Sequence, residues 1–148
     1  MNRLKTIDIQ VNRLINATPE QVYATWLDKT SPGSPWFGVP KVILDPPIID
    51  GLFYTMYAVE GREFAHYGRF VSLDPPHQIQ YTWVSEATQG LETLLTVTFI
   101  AREGKTEVQV LHTDVPDDEG GLRHKQAWGF VLSRMTKFFS PQQLDTST

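Results

Sequence analysis

Between Val39 and Thr113 the sequence keeps a period of two, interrupted only by short turns. No other feature constrains the fold as much. A period of two sends successive side chains to opposite faces of a strand. "GLFYTMYAV" and "EFAHYGRFVSL" flank "EGR", a hairpin turn around Gly61. "IQYTWV" puts Ile79, Tyr81 and Trp83 on one face. "LETLLTVTF" does the same with Thr93, Leu95, Val97 and Phe99, and "EVQVLHT" with Val108, Val110 and His112. "DPPHQ", "SEATQG" and "REGKT" are the turns between them, and "PKVILDPPIIDG" reads as a further strand ended by Pro46-Pro47. Strands joined by turns this short lie antiparallel.

The flanks complete the order of elements. "KTIDIQVNRLI" alternates as a first strand, with Ile7, Ile9 and Val11 on one face. "NATPEQVYATWLDK" opens a helix: Thr18 is an N-cap, Pro19 suits the first helical position, and Gln21 completes a capping box. "TSPGSPWFG" cannot continue a long helix and has room for one short helical turn, anchored by Trp36 and Phe37. After Thr113 the period becomes 3.6. At 100° per residue from Trp128, the side chains of His124, Val131, Leu132, Met135, Phe138 and Phe139 share one face. Gly120-Gly121 predict an irregular first turn. Pro141 ends the helix, and residues 141–148 read as a polar, frayed tail. The expected fold is α+β, one domain over residues 1–148. An antiparallel sheet of about seven strands is covered by a long C-terminal helix, with one or two short helices after strand 1.

Composition matters here for what it excludes. The 148 residues contain no cysteine, so disulfides, thiolate ligands and a cysteine nucleophile are out. The net charge is −4 with no basic stripe, against a nucleic-acid partner. No apolar run approaches a membrane span, and "MNRLKTIDIQ" has no apolar signal region. A cytoplasmic location is expected.

Four stretches carry a family likeness: "ATPEQVYATWLD" (17–28), "GRFVSLDPPHQIQYTW" (68–83), "ETLLTVTF" (92–99) and "TEVQVLHTDVPDDEGGLRHKQAW" (106–128). Together they resemble the START-like, helix-grip superfamily. Within it they resemble the branch named for the C-terminal domain of the activator of Hsp90 ATPase. The resemblance implies a curved sheet wrapped around the C-terminal helix, with a cavity between them. The co-chaperone has an additional N-terminal domain for which 148 residues leave no room, so its activating role is not carried over.

Strand parity and helical phase place Phe53, Thr55, Tyr57, Phe70, Tyr81, Trp83, Leu95, Val97, Phe99, Val110 and His112 inward. The helix adds His124, Trp128, Leu132 and Met135. From these the expected ligand contacts are Phe53, Tyr57, Phe70, Tyr81, Trp83, Leu95, Val97, His112, His124, Trp128, Leu132 and Met135. They suit a small apolar or amphipathic molecule. His112 and His124 form the polar end, either open to the cavity or paired within the loop. No HxH, HxxxH or HExxH occurs, and no metal or cofactor is expected. Asp117 and Asp118 sit where an N-cap belongs, and Glu119 lies in the first turn. No serine lies in GxSxG. Glu60, Arg62, Glu63 and His66 read as a solvated hairpin, and His77 as an exposed turn residue. Binding without catalysis is the expected role. A chaperone-related interaction module, a homodimer, and a cyclase- or hydrolase-like enzyme using the histidine pair stay open.

Overall fold

The computed structural model describes residues 5–44 and 47–140. β1 (Thr6–Ile15) and α1 (Pro19–Trp26) come first. Then follow β2 (Lys41–Ile43), β3 (Leu52–Val59), β4 (Arg62–Asp74), β5 (Gln78–Ser85), β6 (Thr93–Arg102), β7 (Lys105–Pro116) and α2 (Glu119–Phe138). All seven strands form one curved antiparallel sheet in the order β1-β7-β6-β5-β4-β3-β2. From β2 to β7 each strand pairs with the next, and β1 closes the far side against β7. α2 lies across the inner face, packed mainly on β1.

Local chemistry explains the boundaries. Thr18 Oγ1 accepts from Gln21 N (3.2 Å), and Gln21 Oε1 accepts from Thr18 N (2.9 Å), so both arms of the capping box are made. Asp118 caps α2 by accepting from Gly121 N at 3.1 Å, which holds its own carboxyl below the usual range. At the β3–β4 and β6–β7 hairpins, Glu60-Gly61 and Glu103-Gly104 all have positive φ. That is the two-residue turn whose twist matches the strands.

Three expectations need correction. The first turn of α2 is regular despite Gly120-Gly121. A Cβ at Gly120 would stand 2.6 Å from Ala87 O, and one at Gly121 2.2 Å from Pro116 O, so the glycines let the helix start against backbone. Of the one or two short helices expected after β1, α1 is the one present, and residues 28–37 form successive turns closed by Ser31 N→Asp28 O, Ser34 N→Ser31 O and Phe37 N→Ser34 O. Ile7 is 37% exposed because a bulge in β7, with Asp114 at φ 63°, sets two β7 residues, Thr113 and Asp114, against one of β1, Asp8, and bends the pair there. Phe138 is 41% exposed, its ring lying over Gly33 and its outer face in solvent. Asp45, Pro46 and residues 141–148 fall outside the described residues, and with them the strand-ending first proline and the polar tail.

The core is largely aromatic. Trp26 stacks on Trp128 (6.5 Å between centroids) and donates Nε1–H to Tyr81 Oη at 3.3 Å. Phe53, Phe70 and Trp36 ring Tyr81 at 5.3–5.6 Å. Such edge and offset contacts add about 0.5–1.5 kcal/mol per pair to simple burial.

Candidate functional site

Beside this core the sheet and α2 do not meet. A cavity of about 930 Å³ separates them, near the upper end for a small-molecule site. One wall is α2, through Arg123, His124, Ala127, Trp128, Phe130, Val131 and Arg134. The β3–β4 hairpin faces it with Tyr57, Arg62, Phe64 and His66. The loop before β2 supplies Pro35, Phe37, Gly38 and Val39, and the end of β5 supplies Trp83, Glu86 and Ala87. Trp36, buried among Phe53 and Tyr81, anchors that loop.

The α2 wall follows from helical phase. Arg123, Ala127, Phe130, Val131 and Arg134 stand at i, i+4, i+7, i+8 and i+11, one stripe along the helix. A second stripe, His124, Trp128, Leu132 and Met135, is buried, and its first two members also border the cavity. The cavity stripe is apolar in the middle and cationic at both ends, which lie about 16 Å apart along the axis.

Behind the wall runs a hydrogen-bond chain whose direction chemistry dictates. Trp128 Nε1 donates to His112 Nδ1 at 3.0 Å. An indole N–H only donates, so Nδ1 carries no proton and His112 is protonated on Nε2. Nε2 therefore donates to Thr93 Oγ1 (2.7 Å), which donates in turn to Trp83 O (2.6 Å). His112 is fully buried, and both its nitrogens are engaged. Burial, with the nearby His124 adding to it, lowers its pKa to about 3. The His124 ring lies 5.0 Å from that of His112, and its Nδ1 donates to Gly120 O (2.7 Å). The neutral ring then keeps Nε2 as an acceptor. Burial lowers the pKa of His124, opposed by the bond to Gly120.

Three residues of the wall each enclose a polar atom behind its surface. Among the described residues Trp83 Nε1, His66 Nδ1 and Arg134 Nε are buried and hydrogen-bonded to nothing. His66 packs its ring 4.9 Å from Trp83, and burial, then His124, lowers its pKa to about 4. With all three imidazoles neutral near pH 7, positive charge on the wall comes from arginine. Arg62 is neutralised by Glu86 at 2.5 Å, an exposed pair at the rim, and its guanidinium lies 4.8 Å from the Phe64 ring centre. Arg134 donates through Nη2 to Ser34 O at 2.6 Å, tying α2 to the loop before β2. No metal-binding group of three His, Asp or Glu side chains occurs among the described residues.

Of the expected ligand contacts, Tyr57, Trp83, His124 and Trp128 line the cavity. Phe53, Phe70, Tyr81, Leu95, Val97, His112, Leu132 and Met135 are buried and do not line it. Sequence reasoning missed Phe64, His66 and Arg134. The signal was present for the first two, since parity counted back from Phe70 along β4 puts His66 and Phe64 on the inner face. For Arg134 there was none, because a cation at the edge of an apolar stripe reads as solvated.

A curved antiparallel sheet gripping a C-terminal helix over a cavity is the helix-grip fold of START-like domains. By the match of residues 16–140 to the family model "Activator of Hsp90 ATPase homolog 1-like protein", the chain belongs to that family. The fold is similar to that of a solved protein from Chromobacterium violaceum, with a TM-score of 0.78, 20% identity, and 91% of this chain and 99% of that one covered. A Mycobacterium smegmatis protein gives a TM-score of 0.74 at 13% identity, covering 95% and 94%. The solution structure of the Aha1 dimer from Colwellia psychrerythraea gives 0.67 at 15%, covering 90% and 96%. No curated protein matches the chain. No helix among the described residues is long and apolar enough to cross a membrane.

Proposed function

We propose that this protein binds a small amphipathic molecule between α2 and the β3–β4 hairpin, without converting it. The observation that carries this reading is the cavity of about 930 Å³, whose walls are mainly apolar. The state of His112 argues against acid–base catalysis by that residue, since a group that exchanges protons with a substrate needs a free nitrogen.

N-phenyl-1-naphthylamine, neutral and fluorescent when buried, tests this. Saturable binding at one site per chain is expected. Ala127→Trp, which fills the middle of the α2 wall from an exposed position, should weaken it at least about 10-fold, some 1.4 kcal/mol. Binding that is absent, or untouched by Ala127→Trp, would refute the cavity as the site.

One observation favours a second reading, an interaction module. Ile43, paired with Tyr54, and Leu52 are exposed by 55% and 75% beside the equally exposed Ile48 and Ile49 at the β2–β3 edge. Such a patch suits a protein partner. Leu52→Lys would then abolish association and leave probe binding intact.

A further inference from the structure

We infer that the ligand of this cavity is an amphipathic carboxylate, its acid group held by Arg134 beside Tyr57 and its apolar body lying along Val131, Phe130 and Ala127. The inference rests on the cavity being a small-molecule site and adds the chemistry of what it selects.

The three arginines of the wall are not equivalent. Arg62 has Glu86 as counter-ion and Phe64 beneath it. Arg123 stands near the α2 N-cap, where it contributes to the lowered pKa of Asp118. Arg134 makes no ion pair among the described residues, although it is partly buried. A guanidinium withdrawn from water without a counter-ion is costly, and an anion entering beside it offsets the cost. Its position is already set by the bond from Nη2 to Ser34 O. The planar fork of arginine matches a carboxylate in two parallel bonds, and a preset fork loses little freedom on binding.

Tyr57 supplies a second donor at the same end. It lies on the wall close enough to Arg134 for the charge to act on its phenol. Burial raises that phenol's pKa more than Arg134 lowers it, so the hydroxyl keeps its proton. No carboxylate on the wall competes, because Glu86 is taken by Arg62. From Arg134 towards the α2 N-terminus the stripe runs apolar for two turns, about 10 Å, to Ala127. An acid group at Arg134 therefore directs an apolar body along those turns.

Displacement of N-phenyl-1-naphthylamine by decanoate and by decanol at pH 7.5 tests the inference, since the acid is ionised there and the two differ only in the head group. Decanoate should displace the probe at about 10-fold lower concentration, as a charge-assisted pair predicts. Arg134→Gln should remove most of that preference without changing decanol, and Arg123→Gln should keep it. Equal displacement by acid and alcohol overturns the carboxylate while leaving the cavity as a neutral site. Loss of the preference in Arg123→Gln rather than Arg134→Gln overturns the placement. Probe that never binds defeats the small-molecule reading itself. Should Arg134→Gln fail to fold through loss of the Ser34 contact, the wild-type comparison still decides, and Tyr57→Phe should cut the preference about 3-fold.

Discussion

Trp128 sets the proton of His112 from sixteen residues away, and the consequence is measurable. A His112 that accepts from an indole cannot be protonated without placing two N–H groups face to face. Unfolded, histidine titrates near 6.5; folded, His112 and His66 titrate near 3 and 4. Below pH 6.5 the unfolded chain therefore binds more protons. The contribution is complete above about pH 6.5 and is lost as pH falls towards 4, by up to about 1.4 kcal/mol per pH unit for each ring. Urea midpoints should be flat above pH 7 and fall clearly between pH 6.5 and 5, where carboxylates hardly titrate. A midpoint unchanged down to pH 5 would contradict the neutral, buried assignment. Parity made the inward direction of His112 legible. Its partners were not, because Thr93 and Trp128 reach it only through the β6–β7 register and the seating of α2.

At the scale of the element, α2 carries the most information. Its core stripe was legible from the 3.6 period, as was its start at Asp117-Asp118-Glu119. The double glycine misled, because weak helix propensity and close backbone approach look alike in a sequence. Gly121→Ala should destabilise by about 2–3 kcal/mol, since its Cβ would meet Pro116 O at 2.2 Å and the carbonyl is held by β7. Gly129→Ala, whose Cβ meets nothing within 4 Å, should instead stabilise by about 0.5–1 kcal/mol. Denaturant unfolding of the pair separates contact from propensity: equal effects of the same sign would refute the account. β4 teaches a related lesson. Charged residues around Gly61 suggested a solvated hairpin, yet the alternation that buries Phe70 runs on through His66 and Phe64 to the cavity.

For the whole molecule, stability is unevenly spread across the sheet. β5, β6 and β7 are each paired on both sides and carry buried side chains along their inner faces. β2 has three residues, one neighbouring strand and largely exposed side chains. Amide hydrogen exchange should be slowest in β5–β7 and fastest, among the strands, in β2. A protected β2 would point to a partner covering the exposed isoleucines beside it. The sequence alone determined the seven strands, their antiparallel order, the capped helices and the inward set, because each depends on neighbours along the chain or on a strict period. Whether the inward residues would fill the interior or leave it open depends on how far α2 stands from the β3–β4 hairpin. The Trp36 anchor and the Arg134–Ser34 contact help set that distance between segments remote in sequence, so the cavity and the arginine that lines it were decided by the tertiary structure.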